Sequence, residues 1–304
     1  MSEQLVECVP NFSEGRDEGL IAEIVQCFKN ISGCWLLDSR ADKDHNRLVV
    51  SLAGEPARIQ EGLLAAAEVA VNRIDMTMHQ GGHPRIGAVD VIPFVPLRNI
   101  SMEQCVELAR DFGQRFFEQT GVPVYFYEEA AYRPERKRLE VVRKGQFEAL
   151  KEDIGKEERH PDVGPPRIHP TAGATVVGAR KFLIALNVNL GTRDESVAST
   201  IAKAVKASSG GLCHVKGIGL ALEEQGMSQV SMNIVDYEKN ALYRVVELIR
   251  MEARRWGVSV VETEIYGMVP AAALLDSLAY YMQLNSFSHD QVVELAMLKS
   301  GDQS

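Results

Sequence analysis

The chain has 304 residues, 45% hydrophobic and 25% charged: an ordinary globular composition, with length enough for two domains or one domain of two similar halves. A formal net charge of -9 excludes a generic nucleic-acid binder, so an anionic ligand would need a local cluster of arginines. Five scattered cysteines without a CxxC, no leader-like start and no apolar run near ~20 residues point to a cytoplasmic protein with reduced thiols and no membrane partner.

Leu5 to Val9 is a short apolar run ended by Pro10 and reads as the first strand. A polar turn at 11–17 leads into a helix from Glu18 to Phe28, with Ile21, Ile24, Val25 and Phe28 on one face. Strands follow at Cys34 to Asp38 and Leu48 to Leu52, separated by a strongly polar loop from Ser39 to Arg47. Alanine-rich helical spacing covers Pro56 to Asp75, and a buried-looking strand covers Val89 to Val95. The order is β-α-β-β-α-β, the split arrangement in which both helices lie on one face of an antiparallel sheet. A helix at Met102 to Gln119 and a strand at Val122 to Tyr127 extend it.

Residues 130–169 change character, with a basic run from Arg133 to Arg143 and a charged, helix-compatible stretch from Lys151 to Asp162. The Pro/Gly-rich stretch at 163–173 reads by composition as a linker between halves. Phe182 to Asn189 is a strand, Asp194 to Ser208 a helix, and His214 to Leu222 with Met227 to Ile234 a strand pair. An amphipathic helix at Asn240 to Trp256 and a strand at Val258 to Glu264 complete a second β-α-β-β-α-β. Helices at Pro270 to Tyr281 and His289 to Leu298 follow.

The chemistry concentrates in residues 80–94. Three glycines, His83, Pro84 and Arg85 form a turn feeding a core strand, a rigid mount for a side chain whose ordinary pKa, about 6.5, suits proton transfer. The bland alternative is a turn in which His83 bonds a nearby carbonyl. Arg85 beside it suits an anionic substrate. Arg40, Asp44, His45, Asn46 and Arg47 offer cations, an acid and a second histidine between two strands, although such a run is most often a solvated hairpin loop. His79 and His83 are four apart, but their glycine- and proline-rich setting is not a helical HExxH site, and no metal is expected. GxGxxG, GxxxxGK[ST] and GxSxG are absent, which argues against dinucleotide, P-loop and serine-hydrolase chemistry. The residues thus describe an α+β protein of two similar halves with a histidine acid/base.

Five segments, LVECVPNFSEGRD at 5–17, HQGGHPRIGAVDVIPFVPLR at 79–98, FGQR at 112–115, VPVYFYEEAA at 122–131 and GATVVGARKFLIALNVNL at 173–190, resemble the glutamate formiminotransferase family along the whole chain. The resemblance implies two ferredoxin-like subdomains, at 1–179 and 180–304, with a groove between their sheets. It implies transfer of a formimino group from N-formimino-L-glutamate to tetrahydrofolate, the co-substrate, in histidine degradation. The family histidine of G-x-HPR-x-GA-x-D falls on His83, and the folate-contacting segment falls on Gly164, Pro165, Pro166, Arg167, Ile168, His169, Pro170, Thr171, Ala172 and Gly173, which reverses the linker reading. The family's vertebrate members carry tryptophan where Ala172 stands. The vertebrate cyclodeaminase partner has no room before Ser304, so only the transferase activity is expected, in a homodimer. Asp38, Asp42 and Asp44 stay open as a second catalytic carboxylate. Formyl transfer between 5-formyltetrahydrofolate and glutamate, and a non-catalytic folate-binding module, are the alternatives.

Overall fold

A computed structural model describes residues 3–301, and the chain divides into two compact units, 1–180 and 181–304. The first is built on one seven-stranded sheet. β1 (Leu5–Cys8) and β2 (Asn11–Phe12) are two pieces of a single line, both flanked by β4 (Arg47–Gly54) and β5 (Val89–Arg98). Pro10, which has no N–H to donate, sits at the break, and its carbonyl still accepts from Val50 N at 3.1 Å. β3 (Cys34–Asp42) pairs with the outer side of β4, so β5, β1, β4 and β3 lie in that order with antiparallel neighbours, as in a ferredoxin-like unit.

The loop expected at 39–47 is shorter in the structure. β3 runs to Asp42 and only residues 43–46 turn, because β4 supplies ladder partners as far as the pair Asp42 and Arg47. α1 (Glu18–Gln26) is capped by Asp17, whose side chain accepts from Gly19 N and Leu20 N, and it buries Leu20, Ile24 and Val25. α2 (Pro56–Arg73) starts at a proline and packs Ile59, Leu63, Ala66, Ala67 and Ala70 inward. α3 (Met102–Thr120) opens on a Ser101/Gln104 capping box and stops at Gly121, held in the left-handed conformation at φ 69°.

β6 (Val124–Glu128) does extend the sheet, but not directly. β7 (Thr175–Ala179), for which the sequence reading has no strand, lies parallel between β5 and β6. The intervening residues are no linker. α4 (Leu139–Val142) and α5 (Gln146–Asp153) lay Val142, Leu150 and Ile154 against Val91, Tyr125, Tyr127 and Val176, covering the sheet face opposite the main core. Arg136, in a 3-10 turn at Pro134–Lys137, pairs with Asp162 at 2.8 Å, and both side chains are only 5% exposed.

The second unit repeats the pattern with its own core. β8 (Ile184–Leu190), α6 (Glu195–Val205), β9 (Val215–Leu222), β10 (Met227–Ile234), α7 (Leu242–Arg255) and β11 (Val260–Tyr266) give an antiparallel sheet ordered β11-β8-β10-β9. This is the strand order of the βαββαβ part of the first unit. Ile184, Leu186, Val188, Val230 and Met232 meet Ile201, Val245 and Ile249 across the helix layer. α8 (Ala271–Met282) and α9 (Val293–Gly301) end the described chain. Among the described residues no helix is long and apolar enough to cross a membrane.

Candidate active site

The ends of β2 and β3 and the starts of β4 and β5 fall at one edge of the first sheet, so the loops joining them converge. Asn46 ties them together. Its backbone takes a left-handed φ of 47°, which asparagine tolerates better than most residues and which closes the β3–β4 turn. Its Oδ1 accepts from Gly15 N at 2.9 Å, its Nδ2 donates to Gln80 O at 3.1 Å, and its carbonyl accepts from His79 Nε2 at 3.0 Å. Two glycines make the approach close enough: a Cβ on Gly15 would lie 2.2 Å from Asp42 O, and one on Gly81 would lie 2.2 Å from His45 O.

His79 donates through Nε2, so its Nδ1 is free to accept, and Arg85 Nε donates to it at 3.1 Å. The other donors of Arg85 go to Gln146 Oε1, His79 O and both oxygens of Glu148, at 2.7 to 3.1 Å. All five guanidinium N–H groups are thereby used, and the residue is only 6% exposed. Arg85 was a substrate-binding candidate in the sequence; the structure makes it the brace that fixes His79 and, through it, the Asn46 turn.

His83 is half-buried on the far side of this brace. Its Nε2 lies 2.7 Å from Arg47 Nη1. A guanidinium can only donate, so Nε2 accepts and the ring is neutral. Burial, then the charges of Arg47 and Arg143, then His45, push its pKa down to about 3, against a smaller upward pull from a hydrogen bond with the Pro84 backbone. His45 stands edge-on to His83, ring centres 6.2 Å apart, and donates through Nδ1 to Asp42 Oδ2 at 2.7 Å. Of the three carboxylates left open by the sequence, Asp42 therefore orients His45, and Asp38 pairs with Arg40 at 2.6 Å. Asp44 is exposed, and its carbonyl accepts from Gly82 N.

A small pocket of about 180 Å³ opens here, with Ser13, Asn46, Arg47, His83 and Asp90 in its wall. The structure thus gathers His83, Arg47, Asn46 and His45 and leaves Arg40, on exposed β3, outside that wall. It adds three residues the sequence did not single out for this site. Asp90 accepts from Ile86 N at 2.8 Å and pairs with Arg143. Arg143 came from a basic run in which nothing distinguished it, and Ser13, whose Oγ donates to Gly87 O at 2.7 Å, from a polar turn. The His-Pro-Arg-Ile-Gly-Ala-Val-Asp spacing was the available signal for Asp90. Among the described residues no group of three or more His, Cys, Asp or Glu side chains is placed to hold a metal ion.

The 164–173 segment is anchored at one end and open at the other. Ala172 and Gly173 are buried, with Ala172 O accepting from Ala88 N, and Gly173 at φ 77° pressed on Ile86 O, where a Cβ would sit at 2.3 Å. Thr171 O accepts from Met76 N, and His169 Nδ1 accepts from Ala172 N. Ile168 is partly covered, while Gly164, Pro165, Pro166, Arg167 and Pro170 are exposed. Gly164 at φ 91° lies over the Phe117 ring.

Comparison with known proteins agrees with this architecture. The formiminotransferase domain, N-terminal subdomain, matches residues 5–180, and the formiminotransferase domain matches 185–304. The chain is 46% identical over 296 residues to the glutamate formimidoyltransferase of Streptococcus pyogenes serotype M1, covering 97% of this chain and 99% of that one. It is 46% identical over 300 residues to the protein of the same name from Thermoplasma acidophilum, covering 98% and 99%. It is 47% identical over 284 residues to the formimidoyltransferase-cyclodeaminase of Rattus norvegicus, covering 91% of this chain and 52% of that longer one.

Proposed function

The chain belongs to the formiminotransferase family and catalyses formimino transfer from N-formimino-L-glutamate to tetrahydrofolate; from that premise we propose that His83 is the proton carrier of the reaction. N5 of tetrahydrofolate attacks the formimino carbon, forming a new C–N bond and a tetrahedral carbon flanked by nitrogens. The bond from that carbon to the glutamate nitrogen then breaks. One proton must leave N5 and one must reach the departing nitrogen, and a single imidazole can do both. The observation that carries this reading is the placement of His83 in the wall of the pocket, on a loop held by Asn46 and braced by Arg85.

Arg47 supplies a guanidinium suited to a substrate carboxylate, with Arg40, Asp44, His45 and Asn46 as further substrate-side candidates. Arg85, with its donors filled, braces rather than binds. The exposed part of the 164–173 segment is offered to the folate, while buried Ala172 and Gly173 hold it in place. The five cysteines, unpaired in the structure, suit a cytoplasmic setting.

A turnover assay with tetrahydrofolate, offering formiminoglutamate and formylglutamate in parallel, should show transfer from the formimino donor. Activity with the formyl donor alone would move the protein to formyl-folate chemistry. Folate binding without turnover of either donor would leave a binding module.

We also propose that the enzyme works as a homodimer. Leu274, Leu278 and Met282 recur every fourth residue along α8 and are 44%, 45% and 59% exposed, a stripe suited to self-association. Sedimentation equilibrium should return about twice the chain mass of 33.6 kDa; a monomer at every concentration would refute the dimer.

A further inference from the structure

The hydrogen bond between Arg47 and His83 poses a problem for the reaction. Nε2 accepts from Arg47 Nη1 at 2.7 Å, so its lone pair is already engaged. While that bond stands, Nε2 can take no proton from N5 and holds none to give, the ring's one proton sitting on Nδ1 against the Pro84 backbone. Something must move the guanidinium, and the substrate carries the groups to do it. Formiminoglutamate has two carboxylates, and a carboxylate accepts a charge-assisted, bidentate pair from arginine that a single imidazole nitrogen cannot match.

We infer that Arg47 is a latch on His83: a carboxylate of the formimino donor draws the guanidinium off Nε2, and the freed ring then carries the proton from N5 to the glutamate nitrogen. The inference rests on His83 as proton carrier and adds what controls it. The bonds made and broken are those already described, and the proton that leaves N5 ends on the departing nitrogen.

The surroundings of the ring support this arrangement. Facing it are Arg47 from β4, His45 from the turn before it, Arg143 from between α4 and α5, and Asp90 from β5, with His79 and Arg85 from its own loop. The nearby carboxylates have partners: Asp42 with His45, Asp90 with Arg143 and Ile86 N, and Glu148 with Arg85. Cationic charge beside a buried imidazole keeps it deprotonated. A carboxylate brought to Arg47 offsets one of those charges and restores basicity as it exposes Nε2. The donor's carboxylate thus acts on the chemical step as well as on binding, and a donor lacking it should lose kcat as well as affinity.

The test uses the full chain labelled in its histidine rings. NMR follows the His83 signal, identified by its loss in His83→Gln. Without ligand the ring should stay neutral from about pH 8 down to about pH 5, below the ordinary histidine range. With saturating L-glutamate its midpoint should rise by at least about one pH unit. In Arg47→Gln the midpoint should be raised without ligand, and glutamate should add nothing; Arg47→Met, which likewise removes charge and donor, serves as a second variant should the first misfold. Kinetically, the wild type should turn over formiminoglutamate about 100-fold faster at saturation than formamidine, which has no carboxylate, and Arg47→Gln should narrow that kcat ratio to below about tenfold. A His83 midpoint unchanged by glutamate, or unchanged in both Arg47 variants, overturns the latch. A fully active His83→Ala overturns the proton-carrier reading itself, whereas an inactive His83→Ala together with a glutamate-insensitive His83 ring in the wild type removes the latch alone.

Discussion

Replacing His83 with alanine should lower kcat by about 10²- to 10⁴-fold, the usual worth of a positioned acid/base, while tetrahydrofolate binding changes little. The variant should fold, because the loop does not depend on this side chain. Asn46 holds Gln80, His79 holds Asn46, and Arg85 is fixed by Glu148 and Gln146. What is lost is Nε2, the group that would relay the proton between two nitrogens. Single-turnover rates should fall with kcat, since the missing step is chemical, and added imidazole should restore part of the rate. His83→Gln, which keeps a polar side chain but cannot relay a proton, should be as slow as alanine. Wild-type turnover by a folded, folate-binding His83→Ala protein would remove the histidine from the mechanism.

The second large effect is on stability and lies away from the pocket. Arg136 donates to Asp162 Oδ1 at 2.8 Å and to the carbonyls of Glu158 and His160, and its guanidinium lies 5.0 Å from the centre of the Tyr125 ring. Asp162 in turn accepts from Phe126 N at 2.8 Å, pinning the segment before residues 164–173 to β6. Arg136→Met should cost about 3–5 kcal/mol, because it strands a buried carboxylate and two carbonyls. Urea unfolding would read that loss, and the melting temperature should fall by roughly 10 °C for a unit of this size. The double variant Arg136→Met with Asp162→Asn should recover much of it, since a neutral amide oxygen still serves Phe126 N without a buried charge. A loss below about 1 kcal/mol in the single variant would mean that the pair is solvated in solution.

The two sheets were legible because their periodicities are local. Alternation in β4, β8 and β10 and the three-to-four spacing of Leu20, Ile24, Ile59 and Leu63 are properties of single segments. β7 was not legible. Five buried residues after a Pro/Gly-rich stretch, Thr175 among them, have no period to separate strand from loop, and their partners lie some 50 and 85 residues earlier in the chain. The length of β3 was hidden for a related reason. Its outer half is polar and exposed, and only pairing with β4 makes it a strand.

In the site, His83 could be proposed from a glycine-rich His-Pro-Arg turn, and the family resemblance gave it a reaction. The sequence could not show that Arg47 would sit on its Nε2, that Arg85 would turn inward to Glu148, or that Arg143 would cross from a basic run to Asp90. These are tertiary facts, set by which loops converge at one sheet edge.

The parallel insertion of β7 between β5 and β6 also fixes the timetable on which the first unit can assemble. Val124–Glu128 leaves the ribosome well before Thr175–Ala179, yet among the described residues its only strand neighbour is the later segment. At about 5–20 residues per second, VYFYE waits several seconds with its backbone N–H and C=O groups open to any other extended chain. Meanwhile the βαββαβ part, complete by Arg98, can already collapse on α1 and α2. The late strand then joins β5 to β6 in one stroke, and Gly173, just before it, seats against the Ile86–Gly87 end of the histidine loop. Completion of the sheet and setting of the histidine loop are therefore a single closing event in the birth of the chain.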